Sequence, residues 1–357
     1  MFLQERLTSL QSKLKENKMD AMLITSPISR TYITGFIGTA GYGVVTQSDA
    51  FLFTDSRYTQ QAKEQAIFFH VMEFQGNPYD AVNALVKENN IKVLGFEDKD
   101  VTYSQFEQLK NKIVVEQFYS VGDLIEQQRK IKDEQEIKKI REAARIADLA
   151  FAHILKYIKA GMTEYEVALE LEIFMRRNGA KGLSFDTVAA SGTRSSLPHG
   201  IASAKKIECG DLLTLDFGCI FEGYCSDMTR TIGIGKLNEE QKRIYHIVLE
   251  AQIKALDVIK PGKTGKEVDQ IARDIISGFG YGDHFGHGLG HGVGLEIHEA
   301  PRLSITGEEE LKPGMVVTVE PGIYIEGFGG VRIEDMVLII GDGIDNFTSS
   351  NKGLLVI

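Results

Sequence analysis

Apolar positions in the first third of the chain switch between helical and strand-like spacing. Residues 1–18 repeat apolar side chains every three or four positions, which predicts an amphipathic helix with Phe2, Leu3, Leu7, Leu10 and Leu14 on one face. A helical pattern covers 79–89, and short apolar runs typical of strands occur at 21–24, 42–45, 50–53 and 91–96. Strands that alternate with helices indicate a compact α/β domain.

A change in composition separates this domain from a second one. Residues 121–133 are polar and charged, and a helical pattern then runs from Asp133, a candidate N-cap, to about residue 159. Its predicted buried face carries Ile137, Ile140, Ala144, Ala147 and Leu149. A chain of 357 residues is also too long for one ordinary core. We therefore predict an N-terminal domain at 1–125 and a second domain at 126–357.

The second domain contains an internal repeat. Residues 159–167 recur as residues 260–268, and each copy follows one helical pattern and precedes another. Residues 210–216 likewise align with residues 314–320, so an alternating apolar strand ends in a carboxylate in both copies. Self-similarity of this kind predicts a duplicated α+β unit with a pseudo-twofold axis. A site between the two halves would draw ligands from each.

Composition and charge exclude several classes of function. The net charge of −10 argues against a nucleic-acid or anionic membrane surface, which would need a basic face. No apolar run is long enough to span a membrane, and the start lacks the pattern of a signal peptide. Three cysteines without CxxC spacing indicate a reducing compartment and no structural zinc site. We expect a cytoplasmic protein.

The stretch 286–299 contains several residues whose side chains can take part in chemistry. Its three histidines are separated by glycines that fill nearly every second position. Glycine inside an element usually marks a place where the backbone passes something closely. The pattern predicts a backbone that lines a site and projects imidazoles into it.

Four carboxylates accompany these histidines. The turn signal at 222–223 predicts a hairpin that places Asp216 and Asp227 on one face of neighbouring strands, and Glu320 and Glu334 repeat the arrangement. Two carboxylates at so short a distance repel each other unless one is protonated or a cation lies between them. The four carboxylates, together with an imidazole, predict a dinuclear metal site. Such a ligand set suits Mn²⁺ or Co²⁺, and Zn²⁺ and Fe²⁺ are also compatible. Each acid taken alone is equally explained as a turn or cap residue.

Taken together, these residues resemble the metal site of metallopeptidase family M24. The matching set, in order, is Asp216, Asp227, His291, Glu320 and Glu334. Further motifs match the Xaa-Pro peptidase branch of that family, at 197–200, 287–301, 319–322 and 329–335. The resemblance covers the second domain throughout. The first domain is similar more loosely, at 34–36 and 53–58.

The resemblance implies a fold and a metal centre. The expected fold is α+β: a C-terminal "pita-bread" domain with two divalent metal ions, preceded by a smaller α/β domain. Asp227 and Glu334 would bridge the metals, Asp216 would complete one, and His291 with Glu320 the other. A water between the metals would attack the Xaa-Pro amide carbonyl, with Glu320 as general base.

The same resemblance implies roles for residues around the metals. His199 and His298 would hydrogen-bond the substrate carbonyl and the developing oxyanion. His287 would line the substrate pocket, and Arg332 would support the ligands or meet a substrate carboxylate. Tyr324 is either a pocket residue or a core residue. Proline-containing peptides are the expected partners, and a homodimer is expected, with the first domain serving dimerisation and substrate gating.

The sequence leaves the exact activity open. One reading is an Xaa-Pro aminopeptidase and the other a prolidase, which cleaves Xaa-Pro dipeptides; residues 54–58 favour the aminopeptidase. Methionine aminopeptidase-like activity is an alternative, although such enzymes usually lack so large a first domain. A non-catalytic peptide-binding module of this fold is another alternative, and the full set of five metal ligands argues against it.

Overall fold

The computed structural model describes residues 2–357; Met1, which belongs to the predicted first helix, lies outside the described residues. The chain divides into two compact units, Met1–Arg129 and Lys130–Ile357. The division falls close to the boundary predicted near residue 125. Among the described residues, no helix is long and apolar enough to cross a membrane.

Unit 1 consists of a six-stranded sheet and six helices in the described part of the chain. The elements are α1 (Phe2–Glu16), β1 (Ala21–Ile24), α2 (Pro27–Thr34), β2 (Tyr42–Thr46), β3 (Ala50–Thr54), α3 (Thr59–Gln65), β4 (His70–Glu73), α4 (Pro78–Glu88), β5 (Val93–Phe96), α5 (Tyr103–Lys112), β6 (Gln117–Ser120) and α6 (Leu124–Arg129). The strand order is β4-β3-β2-β1-β5-β6. Strand β2 is antiparallel to β1 and β3, and the other pairs are parallel.

The predicted elements of unit 1 are confirmed, and several others had no clear signal. The predicted ones are α1, α4, β1, β2, β3 and β5. Both outer strands, β4 and β6, were missed because most of their side chains are exposed, so they lack a buried apolar run. Helix α5 buries only Leu109 and has almost no apolar face.

Unit 2 is built from paired helices and antiparallel strands. Its elements are α7 (Glu134–Tyr157), α8 (Glu164–Arg177), β7 (Gly182–Leu183), β8 (Val188–Ser191), β9 (Leu212–Phe217), β10 (Cys219–Phe221), β11 (Tyr224–Cys225), β12 (Met228–Gly233), α9 (Glu239–Val258), α10 (Gly265–Gly278), β13 (Gly290–Gly292), β14 (Glu299–Leu303), β15 (Val316–Val319), β16 (Gly322–Ile325), β17 (Gly329–Arg332), β18 (Asp335–Ile340) and β19 (Gly343–Asn346). Short 3₁₀ helices lie at Gly192–Ser196 and Gly282–His284. The main sheets are β12-β9-β8 and β14-β13-β15-β18-β19.

The long helix α7 begins where the sequence predicts it. The Asp133 side chain accepts hydrogen bonds from the second and third helical residues and forms a capping box with Glu136. Most of the predicted buried face is correct, but Leu149 is 38% exposed. Two residues beyond the buried Ala147, Leu149 is turned about 200° around the helix and points away from the core.

The internal repeat corresponds to two similar halves: the first half runs from α7 to β12, and the second half from α9 to β19. Thr163 and Thr264 start α8 and α10 with equivalent capping boxes. In each half the two helices bury their apolar faces against the strands. The first core includes Ile146, Leu171 and Leu215, and the second Val248, Val268 and Val317.

A buried ion pair joins the two halves. In the repeat, Leu215 of β9 is equivalent to Val319 of β15; Leu215 pairs with Arg230 and Val319 pairs with Asp335. Arg230 and Asp335 therefore occupy equivalent positions in β12 and β18. Arg230 Nη2 donates to Asp335 Oδ1 over 2.7 Å, and neither side chain is more than 1% exposed. The pair therefore links equivalent positions of the two halves.

Thiol titration tests the packing of the three cysteines. Cys209 is exposed, whereas Cys219 and Cys225 are buried. Burial raises the pKa of the Cys219 thiol to about 11 and that of Cys225 to about 12. Because the thiolate is the reactive form, we expect one fast-reacting thiol in the native chain and three after denaturation. Cys209→Ser should abolish the fast phase; a fast phase that persists would contradict the described burial.

Candidate metal centre

The first two carboxylates lie on either side of the predicted hairpin turn. Glu222 and Gly223 have positive φ angles of 45° and 90°, the backbone of a tight turn between β10 and β11. Asp216 of β9 pairs with Thr229 of β12, and Asp227 immediately precedes β12. Side chains two residues apart in an extended chain share a face, so Asp216 and Asp227 converge.

The second half presents its carboxylates in a different register. Glu320 immediately follows β15, and Glu334 lies between β17 and β18. Glu334 comes one residue before the position equivalent to Arg230, so it is the equivalent of Thr229. Asp227, in contrast, comes two residues before Thr229. The second pair therefore differs from the first in strand offset by two residues, a shift that keeps the side chains on the same face, and aligned strand ends do not determine that offset.

The glycine-rich stretch forms β13, which carries His291 between two other strands. A Cβ atom at Gly290 would lie 2.1 Å from Thr318 O of β15, and one at Gly292 would lie 2.2 Å from Ala300 O of β14. Real Cβ atoms do not approach a backbone oxygen so closely. The glycines therefore let two strands approach β13 closely, as the pattern predicts, and hold the imidazole in place.

Replacement of Gly290 tests this close approach. We expect Gly290→Ala to lower the free energy of unfolding by roughly 3 kcal/mol, since Thr318 O must move to admit the methyl group. Gly286→Ala is the matched control, because nothing lies within 4 Å of its added Cβ. Its effect should stay within about 1 kcal/mol. Denaturant unfolding measures both; equal stabilities would show that the strands can separate freely.

The five predicted metal ligands converge on one cavity. His291 Nε2 lies 3.3 Å from Glu320 Oε1 and 3.6 Å from Asp227 Oδ2. Ligand atoms of Asp227, His291 and Glu334 all lie within 4.8 Å of one another. Asp216 lines the same cavity. The structure thus brings together side chains separated by more than a hundred residues.

Burial and repulsion prevent all of these carboxyls from ionising at once. Burial raises the pKa of Asp227 well above its usual value, and nearby Asp216 raises it further. Burial and Asp227 likewise raise the pKa of Glu334. Burial would lower the pKa of His291, but Glu320 and Asp227 raise it to about 9. The cluster therefore needs protons or cations to balance its charge.

The side chains fit divalent metal ions. Within residues 2–357, Asp216 Oδ1 and Glu334 Oε1 are buried without a hydrogen-bond donor. Such atoms are costly unless another partner satisfies them. His291 Nδ1 lies 3.0 Å from Gly292 O, the contact of a donated N–H. That tautomer leaves Nε2 facing the carboxylates, the usual arrangement of a metal-binding histidine.

Behind the ligands, a chain of hydrogen bonds links Asp216 to His287. Arg332 Nη2 donates to Asp216 Oδ2 over 2.5 Å, and Nη1 donates to the Tyr324 hydroxyl over 2.7 Å. The Tyr324 oxygen lies 2.9 Å from His287 Nε2, and burial lowers the pKa of that imidazole. Arg332 is only 3% exposed. The geometry places Arg332 and Tyr324 in support of Asp216 and His287.

A cavity of about 780 Å³ opens beside the cluster. The predicted residues His199, His287 and His298 line it, and His199 and His298 are exposed. The His298 ring packs edge-on against His291 with centroids 4.4 Å apart. The imidazoles of His199 and His298 thus line the cavity next to the cluster, and they come from segments that are distant in the sequence.

Several residues of the site were missed from the sequence. The Thr229 hydroxyl donates to Glu334 Oε2 over 2.7 Å, and the Thr318 hydroxyl donates to Glu320 Oε1 over 3.2 Å. Each lies two residues from a predicted carboxylate, so strand alternation was an available signal. Arg302 also lines the cavity, on β14. It had no signal, because its place depends on how β14 pairs with β13.

Comparison with known proteins identifies the family. Residues 138–340 match metallopeptidase family M24, and residues 6–131 match the creatinase/prolidase N-terminal domain. The chain belongs to metallopeptidase family M24. This M24 member is 45% identical over 355 residues to the Xaa-Pro dipeptidase of Pyrococcus furiosus, covering 99% of this chain and 100% of the relative.

Solved structures of other peptidases show the same architecture. An Xaa-Pro dipeptidase from Bacillus anthracis matches with a TM-score of 0.98 at 48% identity, covering 99% of this chain and 100% of that one. An X-Pro aminopeptidase from Thermotoga maritima matches with a TM-score of 0.91 at 41% identity, covering 97% and 100%. These matches confirm the resemblance and the predicted fold. The protein is a metallopeptidase, and its family implies divalent metal ions.

Proposed function

We propose that this M24 metallopeptidase hydrolyses Xaa-Pro dipeptides. The observation that carries the proposal is the convergence of Asp216, Asp227, His291, Glu320 and Glu334 on one cavity. It is supported by similarity over the whole chain to proteins named Xaa-Pro dipeptidase.

Arg302 favours a dipeptide over a longer peptide. Its side chain lines the cavity and is exposed. In the part of the chain that the structure describes, its guanidinium has no ion-pair partner, in contrast to the buried Arg332. In a dipeptide the terminal carboxylate lies one residue beyond the scissile bond, and a guanidinium is well suited to bind it. A longer peptide has an uncharged amide there.

Five side chains would hold two divalent metal ions, Mn²⁺ or Co²⁺ in preference to Zn²⁺ or Fe²⁺ because oxygen ligands dominate. Asp216, Asp227, His291, Glu320 and Glu334 would supply the ligand atoms, and the four carboxylates would balance the charge of the ions. When bound, the ions would polarise the carbonyl and lower the pKa of a water molecule.

The protein's own side chains would orient the peptide and move protons. Glu320 would take a proton at its carboxylate and pass it to the leaving proline nitrogen. His199 and His298 would donate hydrogen bonds to the carbonyl oxygen as negative charge develops on it. His287, neutral because burial lowers its pKa, would line the substrate pocket.

Paired substrates and one variant test the proposal. Metal-free enzyme would be reloaded with Mn²⁺ or Co²⁺ and given an Xaa-Pro dipeptide, an Xaa-Pro-Xaa tripeptide and a methionyl peptide without proline. We expect dipeptide cleavage only with metal, and about a tenfold or larger rise in KM with Arg302→Met, since one charge-assisted contact is lost. Preference for the tripeptide would support the aminopeptidase alternative. Cleavage of methionyl peptides alone would support the methionine aminopeptidase alternative, and no cleavage with metal bound would support the binding module.

Three features remain predictions beside this function. They are a homodimer, a role of the first domain in dimerisation and substrate gating, and a cytoplasmic location.

A further inference from the structure

His199 lies on a loop whose two ends meet. The loop, residues 191–203, begins at the last residue of β8 and includes the first 3₁₀ helix. Ile201 pairs with Val188 in an isolated bridge, and Ala202 N donates to Thr187 O over 3.3 Å. The chain thus leaves β8 and returns beside it. The direction of the exposed His199 depends on how this loop is held.

One buried carboxylate joins the two ends of the loop. Glu164, the first residue of α8, has a fully buried side chain. Its Oε1 accepts from the backbone N–H and the hydroxyl of Ser191, both at 2.8 Å. Its Oε2 accepts from the backbone N–H of Ser203 at 3.1 Å and from the hydroxyl at 2.6 Å. Arg194, inside the loop, pairs with Oε2 and donates to Ile201 O over 2.8 Å.

The outer part of the loop is attached to the hairpin that precedes Glu334. Gly330 N donates to Ser195 Oγ over 2.8 Å, and Arg332 Nη1 donates to Pro198 O over 3.1 Å. His199 follows Pro198 directly. The imidazole is therefore carried between two attachments, one at Glu164 and one at the hairpin that leads to the candidate metal centre.

Helix capping does not explain the position of Glu164. Thr163 and Glu166 already form the capping box of α8: the Thr163 side chain accepts from Glu166 N, and the Glu166 side chain accepts from Thr163 N. The Glu164 carboxylate instead accepts hydrogen bonds from Ser191 and Ser203, which lie 27 and 39 positions further along the chain. Its role concerns the loop.

The second half of the repeat has the same backbone arrangement without this carboxylate. Glu164 N donates to Lys205 O over 3.0 Å, and the equivalent Gly265 N donates to Glu309 O over 3.4 Å. A Cβ at Gly265 would lie 2.0 Å from Arg302 O, so the second half packs backbone directly on this position. The first half departs from the repeat here, with a side chain that reaches the loop of His199.

We propose that Glu164 is a positioning residue that acts through His199. By joining the two ends of the loop 191–203, Glu164 holds the imidazole of His199 toward the cavity. This inference rests on the proposed function, in which His199 contacts the substrate carbonyl.

A double-variant cycle on the metal-loaded enzyme tests the proposal. Glu164→Gln keeps the side-chain shape but presents an amide N–H₂ to hydroxyl, amide and guanidinium donors. We expect kcat on an Xaa-Pro dipeptide to fall about tenfold to a hundredfold, with a smaller change in KM and unchanged metal content. In a His199→Ala background the same substitution should change kcat less than about twofold, because coupled residues are not additive. Equal fold-losses in both backgrounds would overturn the proposal.

Amide hydrogen exchange gives a readout that does not depend on activity. In Glu164→Gln, peptides covering 191–203 should exchange faster, whereas peptides covering β9 should not change. If the wild-type enzyme cleaves no Xaa-Pro peptide but the loop still opens in the variant, the proposed function fails and the loop closure stands. If exchange in the loop is unchanged, the positioning role fails even when the peptidase activity is confirmed.

Two further variants keep the test decisive. Glu166→Gln removes an exposed carboxylate from the same turn of α8 and should leave loop exchange and the response to His199→Ala as in wild type. Ser203→Ala removes one hydrogen bond to Glu164 and serves if Glu164→Gln does not fold. It should lower kcat by a smaller factor, and that loss should again disappear in the His199→Ala background.

Discussion

Glu320→Gln should lower kcat on an Xaa-Pro dipeptide by roughly 100- to 1000-fold, the usual effect of losing a general base. The amide cannot take up a proton, and it removes one negative charge from the predicted ligand set. Burial would raise the pKa of Glu320, but the hydrogen bond and charge of His291 lower it to about 2. The carboxylate is therefore ionised across the physiological range. Its partners are His291 and the Thr318 hydroxyl.

The control for this variant is Glu326→Gln, in the hairpin that follows Glu320. Glu326 is exposed in the turn between β16 and β17, and its loss should leave kcat unchanged. Initial rates with metal content measured on the same samples distinguish loss of a base from loss of metal. Activity that survives in Glu320→Gln with metal bound would assign the proton transfer to another group.

Asp335→Asn should lower the free energy of unfolding by about 3–5 kcal/mol, because it leaves the buried guanidinium of Arg230 without a counter-charge. Asp335 accepts from Arg230 over 2.7 Å and from Lys352 over 2.7 Å, and its own side chain is fully buried. Burial would raise the pKa of Asp335, but Arg230 and Lys352 lower it, which shows that the ionised form is the paired one. Because the pair joins the halves that carry the ligands, we also expect weaker metal binding.

An exposed ion pair in the same sheet provides the control. Asp345 of β19 lies 2.5 Å from Arg141, and their side chains are 41% and 46% exposed. Water screens such a pair, so Asp345→Asn should cost about 0–1 kcal/mol. The double variant Arg230→Met with Asp335→Leu removes both charges and should lose less stability than the two single variants added together. Denaturant unfolding would measure the free energy of unfolding of each variant. Equal losses of stability in Asp335→Asn and Asp345→Asn would show that burial does not increase the contribution of the ion pair.

The pattern of the chain predicted much of its local structure, and it singled out the carboxylates and the histidine that the structure brings to one cavity. Asp133 starts α7, the turn at Glu222 and Gly223 closes the hairpin, and the glycines around His291 lie where two strands approach. The cap and the turn depend on local backbone preferences, and the glycines are visible in the sequence because no other residue leaves room for so close an approach. The duplication was visible for the same reason, since each copy repeats its caps and strand.

Contacts between distant segments could be decided only by the tertiary structure. The pairing of Arg230 with Asp335 and the closure of the His199 loop by Glu164 each join segments more than 25 residues apart. The place of Arg302 at the cavity depends on the pairing of two strands, β13 and β14. The different strand offset of Glu334 had no signal in the sequence for this reason. Strand offset and side-chain packing are set by which surfaces fit together on burial, and that free energy belongs to the assembled core, not to any one stretch of sequence.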